Sequence, residues 1–213
     1  LAARTLVQPG DLVFVESPSY DRAVTTLRNA GARVCGLALQ EDGPDFASFQ
    51  LRLDQGESPK FIYLIPDFQN PSGCLMSQEK RKWIAGLAQK YGFWIIEDSP
   101  YRLLRYRGAD LPSIHSNLPE QVMLMSSYSK TICPGLRVGY MIVPDKLIKS
   151  LARKAEDTYI NASYINQAAA YEFIRRGWLE RNLVGLKTLY FERLQIMLSC
   201  LDSSMSSLGE WTK

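Results

Sequence analysis

Short, almost uninterrupted apolar runs recur along the chain, and most are rich in β-branched residues. Continuous rather than alternating hydrophobicity is typical of strands that are covered on both faces, as in a parallel sheet. The predicted strands are Leu12–Glu16, Arg33–Leu39, Phe61–Ile65, Phe93–Glu97, Val122–Met125 and Val138–Val143. This pattern restricts the chain to few folds, because parallel strands need long crossover connections between them.

Helical patterns fill several of the intervals between these runs. The clearest is Ser77–Tyr91, in which apolar residues recur at helical spacing, Ser77 can cap the first turn and Gly92 can end the last. The other predicted helices are Tyr20–Ala30, Lys146–Tyr159, Tyr164–Arg176 and Leu179–Leu201. Strands that alternate with helices predict an α/β fold, in which a mostly parallel (mixed) sheet carries helices on both faces.

The length of the chain, 213 residues, is large for one domain and small for two. We expect residues 1–178 to form one domain and residues 179–213 to form a long helix that leads toward a second. The apolar spacing of that helix predicts one buried stripe, which includes Tyr190 and Met197. The first residues read as the tail of a helix already under way, and the chain is interpreted as a fragment.

Composition and charge argue against several classes of protein. Lys and Arg exceed Asp and Glu by only 25 to 22, which is too small a surplus for a nucleic-acid footprint. No apolar run approaches the roughly 18 residues that a membrane-spanning helix needs. Four widely spaced cysteines and one histidine, His115, favour a cytoplasmic protein with reduced thiols, without a metal site or a Ser-His-Asp triad.

Charged residues follow predicted strands, at the edge where parallel sheets bind ligands. Asp98 directly follows an apolar strand, so its carboxylate should be poorly solvated and need a cation, unless it caps a following turn. Lys130 follows a hydroxyl-rich turn and is a candidate Schiff-base nucleophile, with a solvated surface lysine as the alternative. Arg137 opens the next predicted strand, where it could bind a phosphate or pair with a surface carboxylate.

Four motifs in a fixed order resemble one protein family. The motifs are Asn70-Pro71-Ser72-Gly73, Asp98-Ser99-Pro100-Tyr101, Ser127-Tyr128-Ser129-Lys130 and Gly135-Leu136-Arg137-Val138-Gly139-Tyr140, preceded by Glu16-Ser17-Pro18-Ser19-Tyr20. Together they resemble the class I/II (fold type I) aminotransferases, which use pyridoxal 5'-phosphate (PLP). The resemblance covers essentially the whole chain and implies the large, PLP-binding domain of that fold.

The resemblance implies a role for each matched residue. Lys130 would form the internal aldimine with PLP and then move a proton between the substrate and the cofactor. Asp98 would pair with the pyridine nitrogen and keep it protonated, which makes the ring an electron sink. Tyr101 and Asn70 would hydrogen-bond the phenolic oxygen of the cofactor. The remaining candidates are Ser127, Ser129 and Arg137 for the phosphate, and Tyr20 for stacking on the ring, with a packing role as the alternative for Tyr20.

The activity implied by the resemblance is transamination, in which an amino acid gives its amino group to PLP and a 2-oxo acid collects it. Members of the family are usually homodimers. The motifs around Asp98 and Arg137 resemble the subgroup of 2-aminoadipate, aromatic and branched-chain aminotransferases. Two alternatives stay open: the PLP-binding effector domain of a MocR/GntR-type transcriptional regulator, and a PLP-dependent lyase or decarboxylase on the same scaffold.

The resemblance also implies that parts of the family's domain lie outside this chain. The first strand and the glycine-rich phosphate loop would precede Leu1, and the arginine that receives the substrate carboxylate would follow Lys213. The strand Arg137–Val143, antiparallel in the family, would then lie at an open sheet edge. We therefore expect residues 1–213 alone to bind PLP poorly or not to transaminate.

Overall fold

The structure, a computed structural model, describes residues 1–209 and residue 211. The strands are β1 (Leu12–Ser17), β2 (Arg33–Gln40), β3 (Gly43–Pro44), β4 (Phe61–Leu64), β5 (Trp94–Asp98), β6 (Val122–Ser127) and β7 (Gly139–Ile142). Among these residues the strands form one seven-stranded sheet in the order β3-β2-β1-β4-β5-β6-β7. The pairings along β2-β1-β4-β5-β6 are parallel, whereas β3 pairs antiparallel with β2. The predicted mixed, mostly parallel sheet is confirmed.

The helices agree with the periodicity of the sequence. They are α1 (Ala2–Leu6), α2 (Asp21–Asn29), α3 (Phe46–Asp54), α4 (Gln78–Tyr91), α5 (Ile114–Asn117), α6 (Asp145–Tyr159), α7 (Tyr164–Arg175) and α8 (Trp178–Ser204). The predicted caps of α4 are present, because the Ser77 hydroxyl accepts from the backbone N–H of Lys80 at 3.2 Å and Gly92 adopts a left-handed φ of 78°. Helix α3 was not predicted from the sequence, although Asp45 caps its first turn.

The chain forms two compact units. The first comprises Leu1–Ser99, Leu111–Ser126 and Tyr140–Ala162, and the second comprises Pro100–Asp110, Ser127–Gly139 and Ser163–Lys213. The sequence predicts a domain boundary after residue 178, where the long helix begins. These two units are defined by contacts instead, so that boundary stays a prediction.

The core of the first unit lies on both faces of the sheet. Leu12 and Phe14 of β1 belong to one apolar cluster, and Val13 and Val15 belong to a second cluster. Successive side chains of a strand point to opposite faces, so the four apolar residues Leu12 to Val15 are covered on both faces of β1. The first cluster includes residues of α3 and α4, and the second includes residues of α1, α2 and α6. Burial on both faces explains why the strands read as continuous apolar runs.

Two expectations about local structure are wrong. Arg137 does not open a strand: it has a left-handed φ of 51° after the 3-10 turn Pro134–Leu136, and β7 begins only at Gly139. The predicted stripe on α8 is buried only in part: its four leucines, Leu183, Leu186, Leu194 and Leu201, are half-buried, whereas Tyr190 is 38% and Met197 is 58% exposed. Helical spacing indicates which side of a helix can be covered, but burial also needs a covering surface. None of the described helices is long and apolar enough to cross a membrane.

A buried ion pair closes the loop after β4, the loop that carries Asn70. The side chains of Arg81 and Asp67 are both 0% exposed, and their N–O distance is 3.0 Å. The Arg81 guanidinium also donates to the backbone carbonyls of Pro66 and Met76, at 2.9 and 3.1 Å. Because the buried guanidinium is hydrogen-bonded as well as ion-paired, α4 holds both ends of this loop.

Replacing Arg81 by Met should destabilise the protein by about 3–5 kcal/mol, because the buried Asp67 carboxylate loses its guanidinium. Urea unfolding followed by circular dichroism measures this difference. The matched control is Arg175→Met on the surface of α7, where Glu172 keeps a second arginine, Arg176, at 3.0 Å. The control should cost less than about 1 kcal/mol. Equal losses in the two variants would contradict a structural role for the buried pair.

Candidate functional site

The Asp98 carboxyl ends β5, near the middle of the sheet. Tyr63 of β4 is paired with Ile96 of β5, and Asp98 lies two residues further on the same face. This register brings the Tyr63 hydroxyl to Asp98, to which it donates at 2.6 Å from Oη to Oδ2. Burial raises the pKa of Asp98, and the Tyr63 hydrogen bond opposes that rise. The poor solvation expected from the sequence is therefore present.

A second carboxyl, that of Glu16, lies at the end of β1 and is only 2% exposed. Its Oε2 accepts hydrogen bonds from the backbone N–H of Ile65 at 3.0 Å and from Nε2 of Gln69 at 3.2 Å. Burial raises the pKa of Glu16 to about 8, with a smaller rise from Asp98, although both hydrogen bonds lower it. Glu16 is thus largely protonated at neutral pH. Sequence analysis assigned it no role, yet it follows an apolar strand just as Asp98 does.

The Gln69 side chain joins two proline-containing turns. Its Nε2 donates to the backbone carbonyl of Pro18 at 2.9 Å, in the turn that leads to Tyr20. Its Oε1 accepts from the N–H and the hydroxyl of Ser72, at 3.0 and 2.7 Å, in the loop that contains Asn70. Gln69 therefore fixes the backbone on either side of two predicted cofactor contacts. It was missed because a glutamine before Asn-Pro carries no distinctive sequence signal.

The first unit places the predicted residues Tyr20 and Asn70 in these two turns. Tyr20 precedes α2 and is 40% exposed. Burial is the largest cause of the raised pKa of Tyr63, and the neighbouring acids Asp98 and Glu16, with Tyr20 contributing least, add to it. Asn70 is partly buried and follows Gln69 directly. Tyr20, Tyr63, Asp98 and Glu16 thus form a cluster of acidic and phenolic groups.

In the second unit, the Lys130 side chain is exposed in the turn that follows β6. Its Nζ lies 5.9 Å from the centroid of the Tyr101 ring. The backbone carbonyl of Thr131, the next residue, accepts from Nδ2 of Asn182 on α8 at 2.7 Å. The turn that carries the Lys130 amine is therefore held by a hydrogen bond from α8. The amine lies near Tyr101, which is predicted to bind the phenolic oxygen of the cofactor.

Hydroxyls and a guanidinium lie around the same turn. The Ser127 hydroxyl donates to Ser129 Oγ at 3.0 Å and to the Val138 carbonyl at 3.3 Å. The backbone N–H of Tyr128 also donates to that carbonyl, at 3.0 Å. These bonds close the loop, so both serine hydroxyls lie next to the segment that begins with the exposed Arg137. Two hydroxyls and a guanidinium are suited to a phosphate group.

The two sets of residues fit the parts of PLP. Among the described residues of the first unit, Asp98 forms no ion pair, so a protonated ring nitrogen would be the cation that this shielded carboxylate needs. In the second unit, Lys130 supplies a primary amine for an aldehyde. Ser127, Ser129 and Arg137 supply the donors for a phosphate. The roles of these residues stay predictions.

Comparisons with known proteins agree on one family. The model of the family described as aminotransferase class I and II matches residues 1–189. The chain is 31% identical over 217 residues to 2-aminoadipate transaminase of Thermus thermophilus, covering 100% of the chain and 54% of the relative. It is 32% identical over 200 residues to the probable rhizopine catabolism regulatory protein MocR of Rhizobium meliloti, covering 93% and 40%.

A solved structure shows the same fold. It is the kynurenine aminotransferase of Pyrococcus horikoshii in complex with PMP, which matches with a TM-score of 0.96 and 29% identity. The match covers 100% of this chain and 54% of that one. The chain thus spans about half of the length of this structure and of the transaminase relative, and less of the regulator.

Glu16→Gln should flatten the pH dependence of stability. The pKa of Glu16 is about 8 in the folded protein and about 4.5 in the unfolded chain, so its contribution is full below pH 4.5 and is lost as the pH rises toward 8. Between these values the wild-type free energy of unfolding should fall relative to that of the variant by up to about 1.4 kcal/mol per pH unit. Denaturant unfolding at a series of pH values measures this difference.

The control for this prediction is Glu172→Gln. Hydrogen bonds from Arg175 and Arg176 lower the pKa of Glu172 to about 2, so its substitution should change the pH dependence of stability only below about pH 4.5, with a constant difference from the wild type above it. Parallel stability curves for the wild type and Glu16→Gln from pH 4.5 to 8 would rule out a proton held by Glu16.

Proposed function

Because the chain belongs to the class I and II aminotransferases, we propose that it forms most of the cofactor-binding domain of an enzyme that moves an amino group from an amino acid to a 2-oxo acid. Its sheet and helices are those of the fold type I large domain. PLP is the cofactor of this family. The observation that supports the proposal best is the shielded Asp98 carboxyl, whose position at the end of β5 suits a cationic ring nitrogen.

When bound, PLP supplies an electron sink for negative charge at the substrate α-carbon. Asp98 would hold the proton on the ring nitrogen, since a carboxylate in a poorly solvated place stabilises a nearby cation. Lys130 would bind the cofactor through Nζ and later carry a proton on the same atom. This assigns the two chemical tasks of transamination to the last residue of β5 and to a residue in the turn after β6.

The remaining predicted residues would bind and orient the cofactor. Ser127, Ser129 and Arg137 would hold the phosphate through two hydroxyls and a guanidinium. Asn70 and Tyr101 would donate to the phenolic oxygen, and the exposed ring of Tyr20 would pack against the cofactor ring. Hydrogen-bonded turns around these residues suit them to hold the cofactor in one orientation. Precise orientation of the reacting groups accounts for a large share of enzymatic rate enhancement.

The substrate class proposed here is a 2-aminoadipate-like or aromatic amino acid, with a 2-oxo acid as the amino acceptor. Support comes from the resemblance to a 2-aminoadipate transaminase and to a kynurenine aminotransferase. We also propose that the full-length protein is a cytoplasmic homodimer. The second candidate function is a PLP-binding effector domain of a transcriptional regulator, which the resemblance to MocR favours.

The full-length protein distinguishes these functions. A winged helix-turn-helix segment and specific DNA binding without amino-acid turnover would favour the regulator. Formation of a 2-oxo acid from an amino acid, with amino transfer to a second oxo acid, would favour the aminotransferase. Release of ammonia or carbon dioxide instead would favour a lyase or a decarboxylase on the same scaffold.

Lys130→Ala in the full-length protein should abolish the visible absorbance band that PLP gives when it is bound covalently to a lysine. The reason is that alanine offers no amine to the aldehyde. Absorbance spectra of the purified protein with added PLP measure this loss. Lys187→Ala on α8 is the control and should keep the band. If the band survives in Lys130→Ala, Lys130 is not the covalent residue.

Asp98→Asn should leave PLP binding measurable but reduce turnover by about 10²–10³-fold, the usual cost of losing one electrostatic stabiliser in an active site. A neutral amide cannot keep the ring nitrogen protonated, which makes the ring a weaker electron sink. Single-turnover absorbance with an amino-acid substrate measures the effect. The control, Asp21→Asn, changes an exposed carboxylate on α2 and should retain activity. Near-normal turnover in Asp98→Asn would exclude its proposed role.

A further inference from the structure

Tyr63 is a buried phenol that sequence analysis assigned to the apolar strand β4 without a role. Its side chain is packed into the core, with the residue only 4% exposed. Phenylalanine would fill nearly the same volume, yet the hydroxyl is present and donates to Oδ2 of Asp98 at 2.6 Å. A buried hydroxyl that meets a carboxylate at this distance forms a strong, charge-assisted hydrogen bond.

The groups around the Tyr63 hydroxyl make it a permanent donor. In the first unit, these groups are Glu16 from β1, Asp98 from β5 and Tyr20 from the turn before α2. Burial and the nearby acids raise the pKa of Tyr63 far above its usual range, so the phenol keeps its proton. Asp98 must then be the acceptor, and the bond favours its charged form.

We propose that Tyr63 is a positioning residue: its hydroxyl fixes Oδ2 of Asp98, keeps the carboxylate charged, and leaves Oδ1 to pair with the ring nitrogen of PLP. The inference rests on the proposed function of Asp98 and adds a residue that acts only through it. Among the described residues of the first unit, Oδ1 accepts no hydrogen bond, whereas Oδ2 is held by the phenol.

Removing the hydroxyl should affect both the charge and the orientation of Asp98. Without its donor, the buried carboxylate binds a proton more readily, since desolvation already favours the neutral form. A protonated or rotating carboxyl is a weaker partner for a pyridinium. The ring nitrogen should therefore lose its proton at a lower pH, and the affinity for PLP should fall.

The test compares Tyr63→Phe with Tyr91→Phe in the full-length protein. Tyr91 is a matched control because its hydroxyl also donates to an aspartate, Asp54, away from the proposed site. Fluorescence titration of the apoprotein with PLP should show about tenfold weaker binding for Tyr63→Phe and a change below twofold for Tyr91→Phe. The NMR shift of ¹⁵N in the ring of labelled PLP should show deprotonation at a lower pH in Tyr63→Phe only.

A double-mutant cycle tests whether Tyr63 acts through Asp98. Tyr63→Phe should weaken PLP binding much less in the Asp98→Asn background than in the wild type. In the Tyr63→Phe single variant, kcat should fall by a larger factor than KM rises. An equal loss in both backgrounds, or an unchanged nitrogen titration, would overturn the inference. If Asp98→Asn itself leaves the nitrogen titration unchanged, the proposed role of Asp98 fails first, so the two failures are distinguishable.

The apoprotein gives a further readout that does not depend on the cofactor. Loss of packing alone would change the free energy of unfolding by a similar amount at every pH. Loss of a donor to Asp98 raises its folded pKa further, so Tyr63→Phe should lose stability relative to the wild type as the pH rises through the raised folded pKa of Asp98. A difference that is independent of pH would show that the hydroxyl has no effect on Asp98, which would overturn the inference.

Discussion

The rest of the site depends on one constraint: the carboxyl groups of Glu16 and Asp98 lie at the ends of sheet strands, where they have restricted access to water. Apolar clusters lie on both sides of β1, so Glu16, at the end of this strand, has little access to water. Asp98, at the end of β5, is partly buried, and this burial raises its pKa. The two acids differ in their partners: amide groups hold Glu16, whereas a phenol holds Asp98. Burial and hydrogen bonding together leave one acid protonated and suit the other to a cation.

In each of the two units, hydrogen bonds hold the loops that carry predicted cofactor contacts. The Gln69 amide and the buried pair of Arg81 and Asp67 hold the loop after β4. In the second unit, hydrogen bonds between Ser127, Ser129 and Val138 hold the loop that carries Lys130. Each loop is therefore held by hydrogen bonds that form without a bound cofactor. Such support is what keeps ligand-binding side chains within narrow limits of orientation.

Much of this arrangement could be predicted from the sequence, because most strands are continuous apolar runs and α4 has clear caps. The motifs around Asp98 and Lys130 likewise indicated the family. Other features depend on contacts between distant segments. The register of β4 and β5 decides that Tyr63 meets Asp98, and no local pattern contains that register. The stripe predicted on α8 is only partly buried, because periodicity contains no information about the extent of a covering surface.

The shared amide of Gln69 also bears on how this protein can vary. One side chain braces the turn before Tyr20 and the loop around Asn70, so a change at position 69 disturbs both segments together. Natural variants should then keep or lose the roles proposed for Tyr20 and Asn70 together. Sequence changes in these two segments would therefore occur together rather than one at a time.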